Sequence, residues 1–290
     1  MKEGTVLIIG RPNVGKSTFL NNLIGQKVAI TSPKPQTTRF PIRAVYKDKR
    51  GNIIFVDTPG VFGKTEDLLS RQINKKTLES IQEDINLVLY MVDHTRKRDF
   101  EEAKVLGIVR KINKPKILVI NKIDKTKPSY LEQYKFLENE FDEIHMISAL
   151  KGKHIKSLIK TIFKYLPKKK EKSEIDFHNK PIPLLNIDSK TYVAELIREK
   201  IFLLARKEVP YTVNVIVEEI TEKEEKNLTY VKAKIITTAD RYKRMLIGKK
   251  GKMIKEIGRL TRKELELMSN KKFYLDLEVI TDPHWQERIE

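Results

Sequence analysis

The segment Gly10-Arg-Pro-Asn-Val-Gly-Lys-Ser17 constrains this chain more than any other. It fits the pattern G-x-x-x-x-G-K-[ST]. The apolar run Thr5-Val-Leu-Ile-Ile9 precedes it, and an apolar helix start, Thr18-Phe-Leu-Asn-Asn-Leu-Ile24, follows. Strand, glycine loop and helix in that order make a phosphate-binding loop, because the loop's backbone N–H groups and the helix N-terminus face an anion. The loop alone leaves ATP and GTP open. Asn121-Lys122-Ile123-Asp124 decides for guanine. An Asp carboxylate accepts from the ring N–H and the exocyclic amine of guanine, and adenine lacks that donor pair.

The rest of the N-terminal half repeats the same rhythm. Ile53–Val56, Leu87–Val92 and Lys116–Ile120 are short apolar runs, each followed by polar sequence, and Glu101–Lys111 is helix-patterned. This predicts an α/β domain over residues 1–167, a mostly parallel sheet with helices on both faces. Ligands in such sheets sit at the carboxyl ends of the strands, where these motifs fall. Thr37-Thr38 lies in a proline-punctuated loop after the first helix. Asp57-Thr-Pro-Gly60 follows the strand at Ile53, and Ser148-Ala149-Leu150 follows the apolar Ile144–Ile147.

Chemistry assigns the roles. Lys16 is a point charge for the β- and γ-phosphates, and the Ser17 hydroxyl suits Mg²⁺. Asp57 supplies a carboxylate to the metal through water. Thr38, with Thr37 as the alternative, reaches the metal only when their loop closes on the γ-phosphate. Gly60 lets a backbone N–H approach that phosphate. Lys16, Thr38 and Gly60 are the expected catalytic set, and Ser17, Thr38 and Asp57 the metal set. The nucleotide shell is Asn13, Val14, Gly15, Lys16, Ser17, Thr18, Asp57, Gly60, Asn121, Lys122, Asp124, Ser148, Ala149 and Leu150. The Lys122 stem covers the base face and Ala149 offers a backbone N–H. Val61 stands where Ras-like enzymes carry a water-orienting Gln, so slow intrinsic turnover is expected. Two readings of Asn13 stand side by side: a turn former, or a K⁺ ligand as in related GTPases.

Pro167 and the run Lys168-Lys-Lys-Glu-Lys172 break the rhythm and read as a solvated basic linker over 168–180. Residues 181–290 restart a core. Val193–Lys207 is helix-patterned, stopped by Pro210. Val213–Val217 and Val231–Ile236 read as strands around a charged hairpin turn at Glu218–Asn227. A short helix leads to Gly248-Lys-Lys-Gly251, then come the helix Met253–Met268 and the strand Phe273–Val279. Arg241–Lys263 carries ten Lys or Arg and one acid, Glu256, which is an electrostatic footprint for a polyanion. A G-x-x-G loop between two helices resembles the one with which KH modules clamp a nucleotide backbone. The element order matches an α+β, prokaryotic (type II) KH domain. Ile247, Gly248, Lys249, Lys250, Gly251, Lys252 and Lys255 are the expected RNA contacts.

The formal net charge of +19 agrees with an RNA, DNA or acidic-surface partner. The absence of Cys excludes disulfides and thiolate metal sites and suits a reducing compartment. No apolar run approaches the ~20 residues of a membrane span. Met1-Lys-Glu-Gly leads straight into a strand, leaving no room for a signal peptide.

Together the two halves resemble the Era family of bacterial GTPases. The resemblance rests on Gly10–Ser17, on Gly25-Gln-Lys-Val-Ala-Ile-Thr-Ser-Pro-Lys-Pro-Gln-Thr-Thr-Arg39 and on Ala194–Lys200. Lys207-Glu-Val-Pro210 and the Leu246–Gly251 loop extend it over essentially the whole chain. Phe40-Pro41, Arg241-Tyr242 and Gly63-Lys64 depart from the family's usual wording. The resemblance implies slow, Mg²⁺-dependent hydrolysis of GTP to GDP. It also implies recognition of the 3′ end of 16S rRNA by the KH domain during assembly of the small ribosomal subunit. A cytoplasmic monomer is expected, peripherally associated with the inner face of the membrane, with no DNA partner. Two other classes compete. A lipid-directed signalling GTPase predicts a polybasic or amphipathic anchor, whereas the basic cluster here surrounds a G-x-x-G. An RNA-binding scaffold with an inert nucleotide site predicts loss of Lys16, Ser17 or Asp57, and all three are present.

Overall fold

A computed structural model describes residues 1–32, 34, 37–60, 68–81, 84–168, 186–223 and 227–288. The chain divides into two compact units. One comprises Met1–Thr31 and Thr38–Asn186, the other Ser32–Thr37 and Ile187–Glu290. The division thus falls at Asn186, later than the expected 180/181, and the second unit takes in a short piece of the N-terminal half. Most of the expected linker, 169–180, lies outside the described residues, as do Val61 and Gly63-Lys64.

The N-terminal unit is a six-stranded sheet in the order β2-β3-β1-β4-β5-β6. Its strands are β1 (Lys2–Ile9), β2 (Ile42–Asp48), β3 (Gly51–Asp57), β4 (Leu87–Asp93), β5 (Lys116–Asn121) and β6 (Glu143–Met146). All neighbours run parallel except β2 against β3. Every residue of β4 is buried, and Leu87–Val92 is an unbroken apolar run, as a central strand covered on both faces requires; only Asp93 at its end is charged. Helices α1 (Lys16–Ile24), α2 (Leu68–Ile81) and α3 (Phe100–Lys111) lie in the connections between strands, the 3₁₀ segment Leu131–Leu137 lies between β5 and β6, and α4 (Ile155–Tyr165) follows β6. In α4, Ile155, Leu158, Ile159, Ile162 and Phe163 are buried, at the i, i+3, i+4, i+7, i+8 spacing of one helix face. Asp99 begins α3 by accepting from the Glu102 amide at 3.0 Å, and Arg110 and Lys111 close it. These placements satisfy both ends of the helix dipole.

The C-terminal unit holds α5 (Ser189–Leu204), β7 (Val213–Lys223), β8 (Leu228–Thr237), α6 (Asp240–Ile247), α7 (Lys252–Ser269) and β9 (Lys272–Thr281). In this sheet β8 lies between β7, antiparallel, and β9, parallel. The expected hairpin turn over Glu218–Asn227 is mostly strand: β7 continues to Lys223, with an irregularity between Val217 and Glu219. A bulge there lets the charged Glu218–Lys223 run stay paired with β8. Helix α5 ends at Leu204, earlier than the expected Lys207, and Pro210 sits inside the short 3₁₀ turn Val209–Thr212 that follows. The order α5-β7-β8-α6-α7-β9, with the glycine loop between α6 and α7, is the expected one.

Candidate functional site

The nucleotide motifs converge because of strand register. Ile8 of β1 pairs with Asp57 of β3, so the loops leaving these strands emerge side by side. They touch at Gly60: a Cβ there would stand 2.6 Å from Pro12 N, which makes glycine obligatory. Asp93 of β4 pairs in the same way with Asn121 of β5.

Lys16 is buried and its Nζ donates to the carbonyls of Gly10 at 3.1 Å and Arg11 at 3.0 Å. Burial draws its pKa down to about 8, against the opposing pull of the Asp57 and Glu102 charges. The same burial pushes the Asp57 carboxyl up to about 6, although Lys16 and the Ser17 hydroxyl act the other way. Ser17 Oγ donates to Asp57 Oδ2 at 2.6 Å and lies 3.3 Å from Thr38 Oγ1. The Thr37 hydroxyl is instead engaged with the Lys34 carbonyl at 2.7 Å, so geometry favours Thr38 for the metal. Asp57 Oδ1 is buried with no hydrogen-bond partner among the described residues. Two hydroxyls and a carboxylate with one oxygen unsatisfied fit a hard, oxygen-seeking cation such as Mg²⁺.

Asn121 fastens the base-side loops to the phosphate loop. Its Nδ2 donates to Val14 O at 2.8 Å and its Oδ1 accepts from Ala149 N at 2.9 Å. Gly15, at φ +106°, lies beneath it; a Cβ there would be 2.3 Å from Asn121 Nδ2. Lys122 Nζ donates to Asn13 O at 2.8 Å and pairs with Asp93 Oδ2 at 2.6 Å. Asn13 has the left-handed backbone (φ 64°) of a turn former. Ser148 Oγ donates to Asp124 Oδ1 at 2.5 Å while accepting from Lys151 N at 3.0 Å. That bond holds the Asp124 carboxyl below its usual range, so it stays an ionised acceptor. Thr18 is half-buried in the first turn of α1, and Leu150 is exposed beside Ala149.

Two groups went unnoticed in the sequence. Asp93 is one; only the pairing of β4 with β5 sets it against Lys122. The other is a polar cluster under the phosphate loop. Arg11, fully buried, has Nε 2.7 Å from Glu102 Oε2 and Nη1 2.8 Å from Asp99 Oδ2. Glu102 also accepts from the hydroxyls of Tyr90 and Tyr134. The available signal was Asp99-Phe-Glu-Glu102, a helix-start pattern, although Glu102 turns to Arg11.

In the C-terminal unit the glycine loop joins α6 to α7. Gly248 (φ 72°) sits where a Cβ would be 2.8 Å from Met253 Cβ, and Gly251 (φ 73°) faces open space. Lys249, Lys250, Lys252 and Lys255 are exposed around it, and Ile247 is half-buried. No side chain caps the N-terminus of α7, where Lys252 N–H donates to the Lys249 carbonyl, and a helix N-terminus of this kind favours an anion.

Comparison with known proteins gives the same division. The family described as 50S ribosome-binding GTPase matches residues 5–122, and the KH domain family matches residues 208–285. GTPase Era of Halothermothrix orenii is 41% identical over 289 residues, 99% of this chain and 95% of that protein. GTPase Era of Aquifex aeolicus is 39% identical over 299 residues, 100% of this chain and 97% of that protein. A crystal structure of a point variant of Aquifex aeolicus Era bound to GDP·AlF4⁻ superposes with a TM-score of 0.90 at 38% identity, covering 99% of this chain and 96% of that one. A structure of Era with MgGDPNP and nucleotides 1506–1542 of 16S ribosomal RNA gives the same TM-score, identity and coverage. With near-complete coverage at this identity, and with both domains in the same order, the chain belongs to the Era family of GTPases.

Proposed function

We propose that this chain is a GTP-hydrolysing switch in assembly of the small ribosomal subunit, gripping the 3′ region of 16S rRNA through its glycine loop. One observation carries the reading. A single chain holds both a guanine-nucleotide site complete in its polar groups and an uncapped helix N-terminus behind a G-x-x-G loop, ringed by exposed lysines. A relative of the same architecture is known with an rRNA fragment and a GTP analogue.

The residues would act as follows. Asp124, held by Ser148, selects guanine, and Lys122 covers the base. Lys16 exchanges its two carbonyl partners for phosphate oxygens. Ser17, Thr38 and Asp57 would hold Mg²⁺, which when bound neutralises charge developing on the phosphates. Gly60 gives a backbone N–H close access to the transferred phosphate. With Val61 in place of a water-orienting Gln, intrinsic turnover on the order of 10⁻⁴ to 10⁻² s⁻¹ follows. Asn13 is the residue that would take K⁺.

We further propose a cytoplasmic monomer that associates peripherally with the membrane. Among the described residues no helix is long and apolar enough to cross a bilayer. The test of the main reading is a titration of the 1506–1542 rRNA segment against the protein with a GTP analogue, with GDP and without nucleotide, at one salt concentration. Tighter binding in the GTP-analogue form supports a switch, since a ligand shifts an equilibrium only through differential affinity. Equal affinities in all three would refute it.

A further inference from the structure

From Ile144 to Lys168 the chain carries six lysines and no Asp or Glu. The apolar side of α4 is buried in the N-terminal unit, and its outer side presents Lys156, Lys160 and Lys164, with Lys151 and Lys153 in the loop just before it, all exposed. Lys156, Lys160 and Lys164 are spaced i, i+4, i+8 and so form a row about 12 Å long. Like charges at that spacing repel and weaken the helix. Elsewhere this chain offsets such charges with acids. Lys75 pairs with Glu79 at 3.8 Å on α2, and Arg259 with Glu256 at 2.7 Å and Arg262 with Glu266 at 3.8 Å on α7. On α4 only Lys164 has an acid, Glu143 at 3.3 Å. Among the described residues Lys151, Lys153, Lys156 and Lys160 have no ion-pair partner. The row starts beside the guanine-binding loop, where Lys151 lies close enough to help lower the Asp124 pKa.

We infer that the lysine face of α4, with Lys151 and Lys153, is a second RNA-binding surface, which takes the phosphate backbone without reading bases. A face shaped only by stability would intersperse both signs, and this one carries uncompensated repulsion that a polyanion relieves. The exposed residues of α4 are Lys156, Ser157, Lys160 and Lys164, with no aromatic or apolar one among them, because the helix turns its apolar residues inward; Leu150 and His154 are exposed in the loop before it. The inference rests on the RNA-binding reading given above. RNA is therefore the partner of matching charge.

The test uses the full chain and the 1506–1542 rRNA segment. Lys156→Gln/Lys160→Gln is compared with Lys156→Arg/Lys160→Arg and with Gly251→Asp. Loss of two phosphate contacts should reduce the slope of log affinity against log salt by about 1.4, giving ~25-fold weaker binding near 0.1 M salt. GTP hydrolysis without RNA should be unchanged, the unfolding midpoint of the Gln pair should be no lower than the parent's because repulsion along α4 is relieved, and the Arg pair should keep the parent slope. A Gln pair with the parent's slope and affinity overturns the inference. So does a Gln pair that binds RNA normally but releases phosphatidylglycerol vesicles, because the surface is then a lipid contact. Failure of the parent itself to bind RNA identifies the underlying functional reading as the error.

Discussion

Asn121→Ala tests how the nucleotide site is assembled. Asn121 is 1% exposed, and its amide is the only bridge described between the Val14 carbonyl and the Ala149 amide. Val14 is 0% and Ala149 1% exposed, so water cannot replace the lost partners while the loops stay closed. Each buried group left unpaired costs about 1–3 kcal/mol, or about 2–6 kcal/mol for the two. The free protein avoids this cost by letting the loops part, and nucleotide binding must then close them again. GDP affinity should therefore fall by roughly 30-fold to 10⁴-fold, with each 1.4 kcal/mol counting tenfold. Asn121→Asp keeps an acceptor for Ala149 N but sets an oxygen against the Val14 carbonyl, so it should also bind weakly. Neither bond touches the base, so the preference for GDP over xanthosine diphosphate should not change. The assay is calorimetric titration of nucleotide-free protein with both diphosphates. GDP affinity within threefold of the parent, or an altered base preference, would refute this account of the loop.

Four further outcomes follow from the same geometry. Asp124→Asn should turn the preference towards xanthine nucleotides, because an acceptor becomes a donor, and competition between GTP and xanthosine triphosphate measures it. Binding of Mg²⁺-nucleotide should be strongest between the Asp57 and Lys16 pKa values of about 6 and about 8. As pH falls through the first, Asp57 gains a proton that competes with the metal; as pH rises through the second, Lys16 loses the charge that attracts phosphate. A monotonic affinity profile from pH 5 to 9 would contradict both. Replacing Na⁺ by K⁺ at fixed Mg²⁺ should raise GTP turnover if Asn13 ligates K⁺, and equal rates remove that role. Gly251→Asp puts a negative side chain at an open, left-handed position. It should cut single-stranded RNA affinity at least tenfold and leave GDP affinity unchanged, measured on the same preparation.

The motifs that were legible in the sequence are those whose chemistry is set within a few residues. Gly10–Ser17 and Asn121–Asp124 each carry their backbone shape and ligating groups in one stretch, and burial in a two-sided sheet made β4 and β5 plain as apolar runs. The illegible parts depend on partners far along the chain. Asp93 acquires a role only because β4 and β5 align it with Asn121. Arg11 looks like any loop arginine until α3 brings Glu102 under it. The antiparallel edge strand β2 was not anticipated: Ile42–Asp48 alternates only loosely, and its pairing with β3 is decided by the tight Lys49-Arg50 connection. In the C-terminal unit the element order was legible from glycines and apolar spacing. The end of β7 was not, because Glu218–Lys223 carries the charge of a turn while its backbone remains in the ladder.

Asp99 does two jobs with one carboxylate. Oδ1 starts α3, and Oδ2 holds Arg11 of the phosphate loop itself. Its side chain is 46% exposed and the next residue, Phe100, is 72% exposed, so the start of α3 is open to solvent while the buried end of the same connection reaches the loop carrying Lys16. The first turn of α3 and the phosphate loop therefore loosen or tighten as one piece. Amide hydrogen exchange at Glu102 and Ala103, whose N–H groups donate to Asp99, is the expected readout of nucleotide occupancy at that turn.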